Sequence, residues 1–188
     1  MIHNIKIPIK QLNEATIREL QQKYPNADFY VDPHPEGKKN DKKEEDFWPI
    51  IALFDWEQEE DDDIVAPAIN ALTRSAIRTI YEFADILSKK LYELDQKKYA
   101  LHLGEDSWKA DRYFSVDNFL YARCCAVANG KDYFNEVLET PAQMPKDLTF
   151  EVLLYLAKTA YQQKTGKEFA YVPAFPIETY SNKEGWKN

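Results

Sequence analysis

One amphipathic stretch, residues 75–94, constrains the fold more than any other part of the 188-residue chain. Its apolar residues recur at steps of three and four, which places them on one face of an α-helix. They are Ile77, Ile80, Tyr81, Ala84, Leu87, Leu91 and Leu94. A stripe of this length must be covered by other apolar surfaces, so the chain is expected to fold around a helical core. Ser75 is the predicted N-cap of this helix.

Similar patterns predict a mainly α fold, a compact bundle of about five to six helices that begins at Asp46. Ser115 is expected to cap one helix, which ends at Gly130, and residues 131–139 form a short helix after it. The last helix is expected to end at Gly166. Both glycines occupy positions where a helix end commonly needs left-handed backbone geometry.

The first 45 residues predict a small α/β appendage followed by a polar linker. Apolar and other residues alternate over residues 5–9, as in a short strand with one exposed face. A helix then begins at Asn13 or Gln11, and residues 27–31 form a second strand. The polar residues 38–45 are expected to act as the linker.

The C-terminal region adds a possible third strand at residues 168–172, which could return to the N-terminal strands. The chain would then have two or three short strands in all. We expect three parts: the appendage and linker at 1–45, a helical domain at 46–169, and a tail at 170–188. The tail either packs on the domain or is partly disordered.

The charge balance favours some partners over others. The chain has 32 Asp and Glu residues against 24 Lys and Arg residues, a formal net charge of −8. This field disfavours nucleic acid, whose phosphates need basic contacts. It suits a basic protein partner, or it serves solubility alone.

The cysteines and the apolar runs indicate a soluble protein of a reducing compartment. Cys124 and Cys125 are adjacent, so they cannot easily bridge to each other and provide no disulfide framework. The N-terminus lacks the apolar run of a signal peptide, and no stretch approaches membrane-spanning length. A cytoplasmic location follows as the expectation, with no membrane partner.

Three segments of the helical region carry motifs in a characteristic order. They are Asp46-Phe47-Trp48-Pro49-Ile50-Ile51, then Asp117-Asn118-Phe119-Leu120-Tyr121-Ala122-Arg123 with Gly130, then Phe150-Glu151 with Leu153-Leu154-Tyr155, Ala160-Tyr161 and Thr165-Gly166-Lys167-Glu168. In this order and spacing, over about residues 46–169, they resemble a bacterial family of proteins of unknown function, DUF4240.

The resemblance implies a helical domain and brings no established activity. Some members of that family are joined to modules that suggest nucleic-acid or regulatory contexts. The chain departs from the family pattern at Ala122 and Cys125, where Phe and Trp are frequent. Packing around these two positions is therefore expected to differ.

Four residues are the candidate binding residues. Asp117 and Arg123 could flank one groove, with Arg123 binding a carboxylate or phosphate through its fork of donors. Alternatively, Asp117 helps to cap its own helix and Arg123 pairs with an acidic residue of the fold. Trp48 and Tyr121 could wall a ligand pocket, although a tryptophan in this setting is also a common core residue.

Neither a catalytic residue, a metal site nor a cofactor is predicted. The three histidines, His3, His34 and His102, lack the spacing of metal ligands. The acidic run at residues 57–63 lacks the glycine and spaced oxygens of a calcium loop and is expected to be solvated. Cys124 and Cys125 fall on an apolar helix, which favours buried packing over nucleophilic catalysis.

The leading hypothesis is a non-enzymatic binding or regulatory protein, either an immunity-like protein or a partner of a basic protein. One alternative is an enzyme or small-ligand-binding domain with a pocket around Trp48, Asp117, Tyr121 and Arg123. Another alternative is a nucleic-acid-associated regulator, against which the net charge argues.

Overall fold

The chain divides into two units, Met1–Asn40 and Asp41–Asn188. The computed structural model describes residues 5–8, 13–23, 29–32 and 41–187. Residue 9 of the first predicted strand, residues 27–28 of the second and residues 38–40 of the predicted linker lie outside the described residues.

In the first unit, two short parallel strands are connected through a helix. Strand β1 (Ile5–Pro8) pairs with β2 (Phe29–Asp32) in register from the first residue of each strand to the last. Helix α1 (Glu14–Lys23) follows Asn13, whose Oδ1 accepts a hydrogen bond from the Thr16 N–H at 2.9 Å. This bond satisfies a donor at the helix start, so Asn13 caps the helix. Gln11, the other predicted start, lies outside the described residues.

The second unit contains seven α-helices in its described part, more than the five to six predicted. They are α2 (Asp41–Ile51), α3 (Asp61–Arg74), α4 (Ile77–Glu93), α5 (Lys97–Ala100), α6 (Val116–Ala128), α7 (Lys131–Glu139) and α8 (Leu156–Thr165). Short 3-10 helices lie at Gly104–Asp106, Pro141–Gln143, Glu151–Tyr155 and Lys183–Trp186. The count rises partly because α5 is a single turn, too short to show a periodic pattern.

Helix α4 is the longest of the described helices, and its apolar stripe lies in the core. Ile80, Leu87 and Leu91 are buried there against residues of the other helices. The helix packs against α2, α6 and α8, while α3 also packs on α8. The second unit is therefore held together by apolar helix faces, as predicted.

Ser75 is not the N-cap of α4, contrary to the prediction. Ala76 takes that position, and no side chain caps it. The Ser75 hydroxyl instead donates to the Leu72 carbonyl oxygen at 2.7 Å and closes α3. Since α3 ends at Arg74, the serine is close enough to bond an unsatisfied carbonyl of the preceding helix.

Helix α2 begins at Asp41, five residues earlier than the predicted start at Asp46. The residues between them were predicted to be linker because they are polar. Lys and Glu nevertheless have good helix propensity. Glu44 is also paired with Lys90 and lies 3.6 Å from the Lys89 ammonium, which holds this turn against α4.

The predicted start and end of α6, the span of α7 and the C-terminal end of α8 are confirmed. The Ser115 Oγ accepts a hydrogen bond from the Asn118 N–H at 3.2 Å, which caps α6. Helix α7 spans the predicted residues. Gly130 and Gly166 have φ angles of 93° and 67°, a conformation that side chains with a Cβ rarely adopt.

The predicted third strand at residues 168–172 is wrong. This segment has no strand partner among the described residues. It belongs to a longer segment, residues 167–187, which lies on the helices, ends in the 3-10 helix Lys183–Trp186 and is called the C-terminal segment below. Its main-chain N–H groups bond to helix side chains instead of to a neighbouring strand.

Helix α6 is the central helix of the second unit. Nine of its 13 residues are buried, and they lie on all sides of the helix. A helix that is apolar all round must be surrounded by other elements. In the folded chain, the surface of this helix that is open to a ligand is therefore confined to its first turns.

Replacing Leu91 with alanine tests the contribution of the α4 stripe. Leu91 is fully buried, so we expect its loss to lower the free energy of unfolding by about 2–5 kcal/mol. The measurement is urea-induced unfolding followed by circular dichroism. Leu101→Ala is the matched control, because Leu101 is 45% exposed. Equal destabilisation by both changes would contradict the assigned core.

Candidate functional site

Arg123 lies inside the protein and not in an open pocket. Its exposed fraction is 0%, and its guanidinium lies over the Phe119 ring at 4.8 Å. Nη1 donates to the Leu91 carbonyl oxygen at 2.8 Å. Nη2 donates to the Ile177 carbonyl oxygen and to the Thr179 Oγ1, both at 3.0 Å. The side chain thus joins α6 to α4 and to the C-terminal segment.

Burial has an electrostatic cost for this cation. Desolvation lowers the pKa of Arg123, while the negative field of Asp95 raises it. The Nε–H is buried and makes no hydrogen bond within the described residues. An enclosed guanidinium of this kind joins parts of the fold, and its donors are not offered to an external anion.

Trp48 is a core residue beside a buried lysine. Its ring packs edge-on against Phe47 at 5.0 Å and lies 5.6 Å from the Phe134 ring. The Lys90 ammonium lies 4.9 Å from the Phe134 ring and pairs with Glu44. The indole N–H is buried and finds no acceptor within the described residues. Trp48 therefore lies in the core, beside the ion pair of Lys90 and Glu44.

Asp117 and Tyr121 lie on the outer face of α6. Asp117 is exposed in the first turn, where a carboxylate stabilises the helix dipole. Tyr121 is one helical turn further on. Six residues separate Asp117 from Arg123, which places them on different sides of the helix. The structure thus separates the predicted Asp117–Arg123 pair.

Tyr121 instead belongs to a surface cluster with Glu151 and Tyr155. Burial raises the pKa of Tyr121, and the nearby negative charges of Glu151 and Asp117 raise it further. The Tyr155 hydroxyl donates to Glu151 Oε1 at 2.6 Å, and this bond raises the pKa of Tyr155. Asp117, Tyr121, Glu151 and Tyr155 are called the acid–tyrosine cluster below.

A cleft of about 420 Å³ opens beside this cluster. Nine described residues line it: Leu103, Glu105, Asp106, Asn118, Ala122, Pro145, Asp147, Leu148 and Thr149. Three of the nine carry a carboxylate and none is basic. Asn118 and Ala122 belong to the same helix as Tyr121, and Thr149 comes two residues before Glu151. The cleft and the acid–tyrosine cluster therefore share two chain segments, and residues 103–106 add a third segment to the cleft.

Two of the three carboxylates of the cleft, those of Asp106 and Asp147, accept hydrogen bonds from neighbouring groups. Asp147 Oδ1 accepts a hydrogen bond from the Glu105 N–H at 2.8 Å, and the Asp147 N–H donates to the Leu103 carbonyl oxygen at 3.2 Å. Asp106 Oδ2 accepts from the Asn118 side-chain amide at 2.9 Å. These bonds fix the side chains of Asp106 and Asp147 before any ligand arrives.

Gly104 makes the close approach to Asp147 possible. A Cβ at position 104 would lie 2.4 Å from both carboxylate oxygens of Asp147. Gly104 also has a φ of 77°, and Asp147 itself has a φ of 56°. Glycine adopts this backbone conformation freely, so the left-handed Asp147 is the residue that indicates a loop arrangement maintained at some conformational cost.

The cleft and the acid–tyrosine cluster together are called the acidic face below. Sequence reasoning missed most of its residues. Asp117 and Tyr121 were predicted, but Glu105, Asp106 and Asp147 were not. These acids lie in loops that are distant in sequence and come together only in the folded chain. Asp147 carried the one local signal, since Asp is among the few residues that tolerate a left-handed turn.

The acidic run at residues 57–63 is exposed throughout, as predicted. Its last members, Asp61 to Asp63, form the first turn of α3, where they complement the helix dipole. The preceding residue, Trp56, is 52% exposed and lies against the Phe150 ring at 5.3 Å. This places an exposed indole near the segment that holds Glu151.

The two cysteines lie in the core, as the sequence favours. Burial raises the pKa of the Cys124 thiol far above its usual range, and burial also raises that of Cys125. A buried thiol that stays protonated is a poor nucleophile. The described residues hold no group of three or more His, Cys, Asp or Glu side chains arranged for a metal ion.

The comparisons with known proteins place residues 43–163 in one family, described as "Protein of unknown function (DUF4240)". Because this match spans more than half of the chain, the chain belongs to that family. This confirms the resemblance found in the motifs. No curated protein and no solved structure matches the chain. Among the described residues, every helix is too short or too polar to cross a bilayer.

Replacing Arg123 with methionine tests its structural role. The change keeps a long side chain but removes three hydrogen bonds and leaves the buried carboxylate of Asp95 without its nearby cation. We expect a loss of about 3–5 kcal/mol in the free energy of unfolding. Chemical denaturation measures it. Arg112→Met, at an exposed position, should change it by less than about 0.5 kcal/mol. A stable Arg123→Met protein would contradict the assignment.

The raised thiol pKa values predict slow chemistry at both cysteines. At pH 8 an ordinary thiol is partly ionised, whereas Cys124 and Cys125 should stay protonated and enclosed. We expect Ellman's reagent to label the native protein very slowly and to label two thiols per chain in guanidinium chloride. Rapid labelling of the native protein would contradict this.

Proposed function

We propose that this DUF4240 member is a non-enzymatic protein-binding module whose acidic face takes a basic segment of a partner protein. The observation that carries the proposal is the cleft of about 420 Å³, lined by Glu105, Asp106 and Asp147 and by no basic side chain. Its remaining lining residues are polar or apolar, so the cleft can accept both the ammonium or guanidinium group and the aliphatic stem of a Lys or Arg.

The fixed position of the carboxylates supports this function. Asp147 uses one oxygen to accept the Glu105 N–H, and a carboxylate can accept several further hydrogen bonds. A guanidinium could therefore bind without first reorganising the loop. Binding to a preorganised site loses less conformational entropy.

The acid–tyrosine cluster extends the same face. Tyr121 and Tyr155 place aromatic rings beside Glu151, and Asp117 adds a second carboxylate. Aromatic rings attract cations through their faces, and the effect adds to that of nearby carboxylates. A basic segment could thus place one cation in the cleft and another beside the tyrosines.

The charge of the whole chain supports the same class of partner. A net charge of −8 attracts a basic protein over several ångströms and raises its rate of association. The same charge argues against the alternative of a nucleic-acid-associated regulator. Phosphate groups would be repelled by the carboxylates of the cleft.

The other alternative, a ligand pocket around Trp48, Asp117 and Arg123, has less support. Trp48 packs in the core, and the guanidinium of Arg123 is engaged by Leu91, Ile177 and Thr179. Of the predicted pocket residues, Asp117 and Tyr121 serve better as part of the acidic face.

A fluorescent arginine-rich peptide tests the proposed function. Fluorescence anisotropy gives its Kd, which should rise with salt concentration because exposed ion pairs are screened. Neutralising the cleft with Glu105→Gln and Asp147→Asn should weaken binding about tenfold, since two exposed ionic contacts contribute roughly 1–2 kcal/mol together. Asn tolerates the left-handed conformation at position 147 and can still accept the Glu105 N–H.

The matched control is the pair Glu59→Gln and Asp62→Asn in the exposed acidic run. It changes the net charge by the same amount but leaves the cleft intact. We expect less than about a twofold change in Kd for this control, because only long-range attraction is affected. Equal weakening by both pairs would show non-specific attraction and overturn the proposal, as would failure of the peptide to bind.

A further inference from the structure

The C-terminal segment packs on the helices of the second unit and forms no helix before its short 3-10 helix at Lys183–Trp186. From Phe169 to Tyr180 its residues alternate strictly between half-buried and exposed. The half-buried positions are Phe169, Tyr171, Pro173, Phe175, Ile177 and Thr179. This period of two is typical of a strand with one covered face, although no other strand pairs with the segment in the described chain.

Helix α4 presents one face to this segment. The contacting residues are Tyr81, Asp85, Ser88 and Tyr92 of the helix and Asp95 just beyond its end, separated by steps of four, three, four and three. Such steps place side chains in a single row along a helix. The apolar core stripe of α4 lies mainly on another side, so the helix has one face for the core and one for the segment.

This row binds the main chain of the segment through its N–H groups. Asp85 Oδ1 accepts from the Ala174 N–H at 2.8 Å, and Ser88 Oγ accepts from the Phe175 N–H at 3.3 Å. Asp95 accepts from the N–H groups of residues 180 and 182, at 3.1 and 2.8 Å. Hydrogen bonds to main-chain groups recognise an extended backbone largely independently of its side chains.

Arg123 binds the same segment as a hydrogen-bond donor, whereas the row along α4 supplies acceptors. It donates to the Ile177 carbonyl oxygen and to the Thr179 hydroxyl, both at 3.0 Å. The Thr179 hydroxyl in turn donates to the Val116 carbonyl oxygen at 2.8 Å. The helices therefore provide both acceptors for N–H groups and a donor for a carbonyl, the two needs of a polypeptide backbone.

Aromatic contacts anchor the two ends of the segment. Tyr171 stacks on Tyr81 with ring centroids 4.3 Å apart. Trp186 packs edge-on against Phe119 at 5.8 Å, and its indole N–H donates to Asp95 Oδ1 at 2.9 Å. Aromatic anchors combined with main-chain hydrogen bonds resemble the way protein grooves hold extended peptides.

The segment is a layer on the helices and not part of their core. None of residues 167–187 is fully buried, whereas the groove residues Ser88, Asp95 and Arg123 are. The groove residues also lie within the family match at 43–163, and the segment lies outside it. The chain passes from α8 into the segment at Gly166, in an exposed left-handed turn.

We propose that the α4 groove is a binding site for an extended protein segment, recognised by its main chain. Residues 167–187 fill this site as a built-in competitor. The external partner is an extended segment that repeats the alternating pattern, with aromatic residues in the positions of Tyr171 and Trp186. This site uses α4 and Arg123 and does not depend on the acidic cleft.

The test cuts the covalent link between α8 and the segment but leaves the segment present in the sample. A recognition sequence for a site-specific protease is inserted between Gly166 and Lys167 of the full chain, and the protein is cleaved under native conditions. A fluorescent peptide with the sequence of residues 167–187 is then added. Cleavage lowers the effective concentration of the resident segment, which a covalent link holds in the millimolar range.

We expect the cleaved protein to keep its helical circular dichroism and its own segment to exchange with the labelled peptide. Anisotropy should then show saturable binding. In the uncleaved protein, binding of the same peptide should be at least tenfold weaker. Loss of helical structure on cleavage would show that the segment is integral to the fold and overturn the proposal. Absence of exchange after prolonged incubation would overturn it as well.

Two modified peptides distinguish main-chain recognition from non-specific binding. Both are measured with the same cleaved protein. N-methylation at Tyr180 removes the N–H that Asp95 accepts and should weaken binding at least tenfold. N-methylation at Glu178, whose side chain is exposed and whose N–H donates no hydrogen bond within the described residues, should change it less than threefold. Equal effects of the two changes would contradict recognition of the main chain.

Discussion

The enclosure of the Arg123 guanidinium is the interaction on which the arrangement of the second unit depends. A buried cation is unfavourable unless its donors are satisfied and an opposite charge lies near. Leu91 of α4 and two residues of the C-terminal segment supply the acceptors, and Asp95 supplies the field. One side chain of the central helix therefore contacts both the longest helix and the C-terminal segment. The apolar packing of α4 holds the Leu91 carbonyl oxygen within hydrogen-bond distance of the Arg123 guanidinium.

The mainly helical fold followed from periodicity because the core helices bury continuous apolar stripes. Ser115, Gly130 and Gly166 were also predictable, since caps and left-handed ends depend on one or two local residues. Ser75 was misassigned because a hydroxyl between two helices can serve either of them. The start of α2 was missed because its first turn is polar and its partner, Lys90, lies 46 residues away from Glu44. The C-terminal segment alternates like a strand, but whether a second strand lies beside it depends on the whole fold.

The candidate site shows the same division between local and distant information. Asp117 and Tyr121 could be selected from sequence because they follow a capped helix start and project together at one turn's spacing. The remaining acids of the face come from loops around Glu105 and Asp147, which meet through the contact with Gly104. Arg123 was selected for its chemistry, but its burial depends on residues more than 50 positions later in the chain. The chemical type of a residue was therefore enough to select candidate polar residues from the sequence. It did not show which of them are exposed and can contact a partner.

The great sequence separation of these contacts has a consequence for biosynthesis. Asp95 and Arg123 leave the ribosome well before residues 174–182, to which they bind. At roughly 5–20 residues per second, synthesis of the next 20 residues after α8 takes on the order of one to four seconds. During that interval the nascent helices carry a polar groove and an uncovered arginine. A chaperone or a neighbouring nascent chain would meet the protein in a form that the finished molecule conceals.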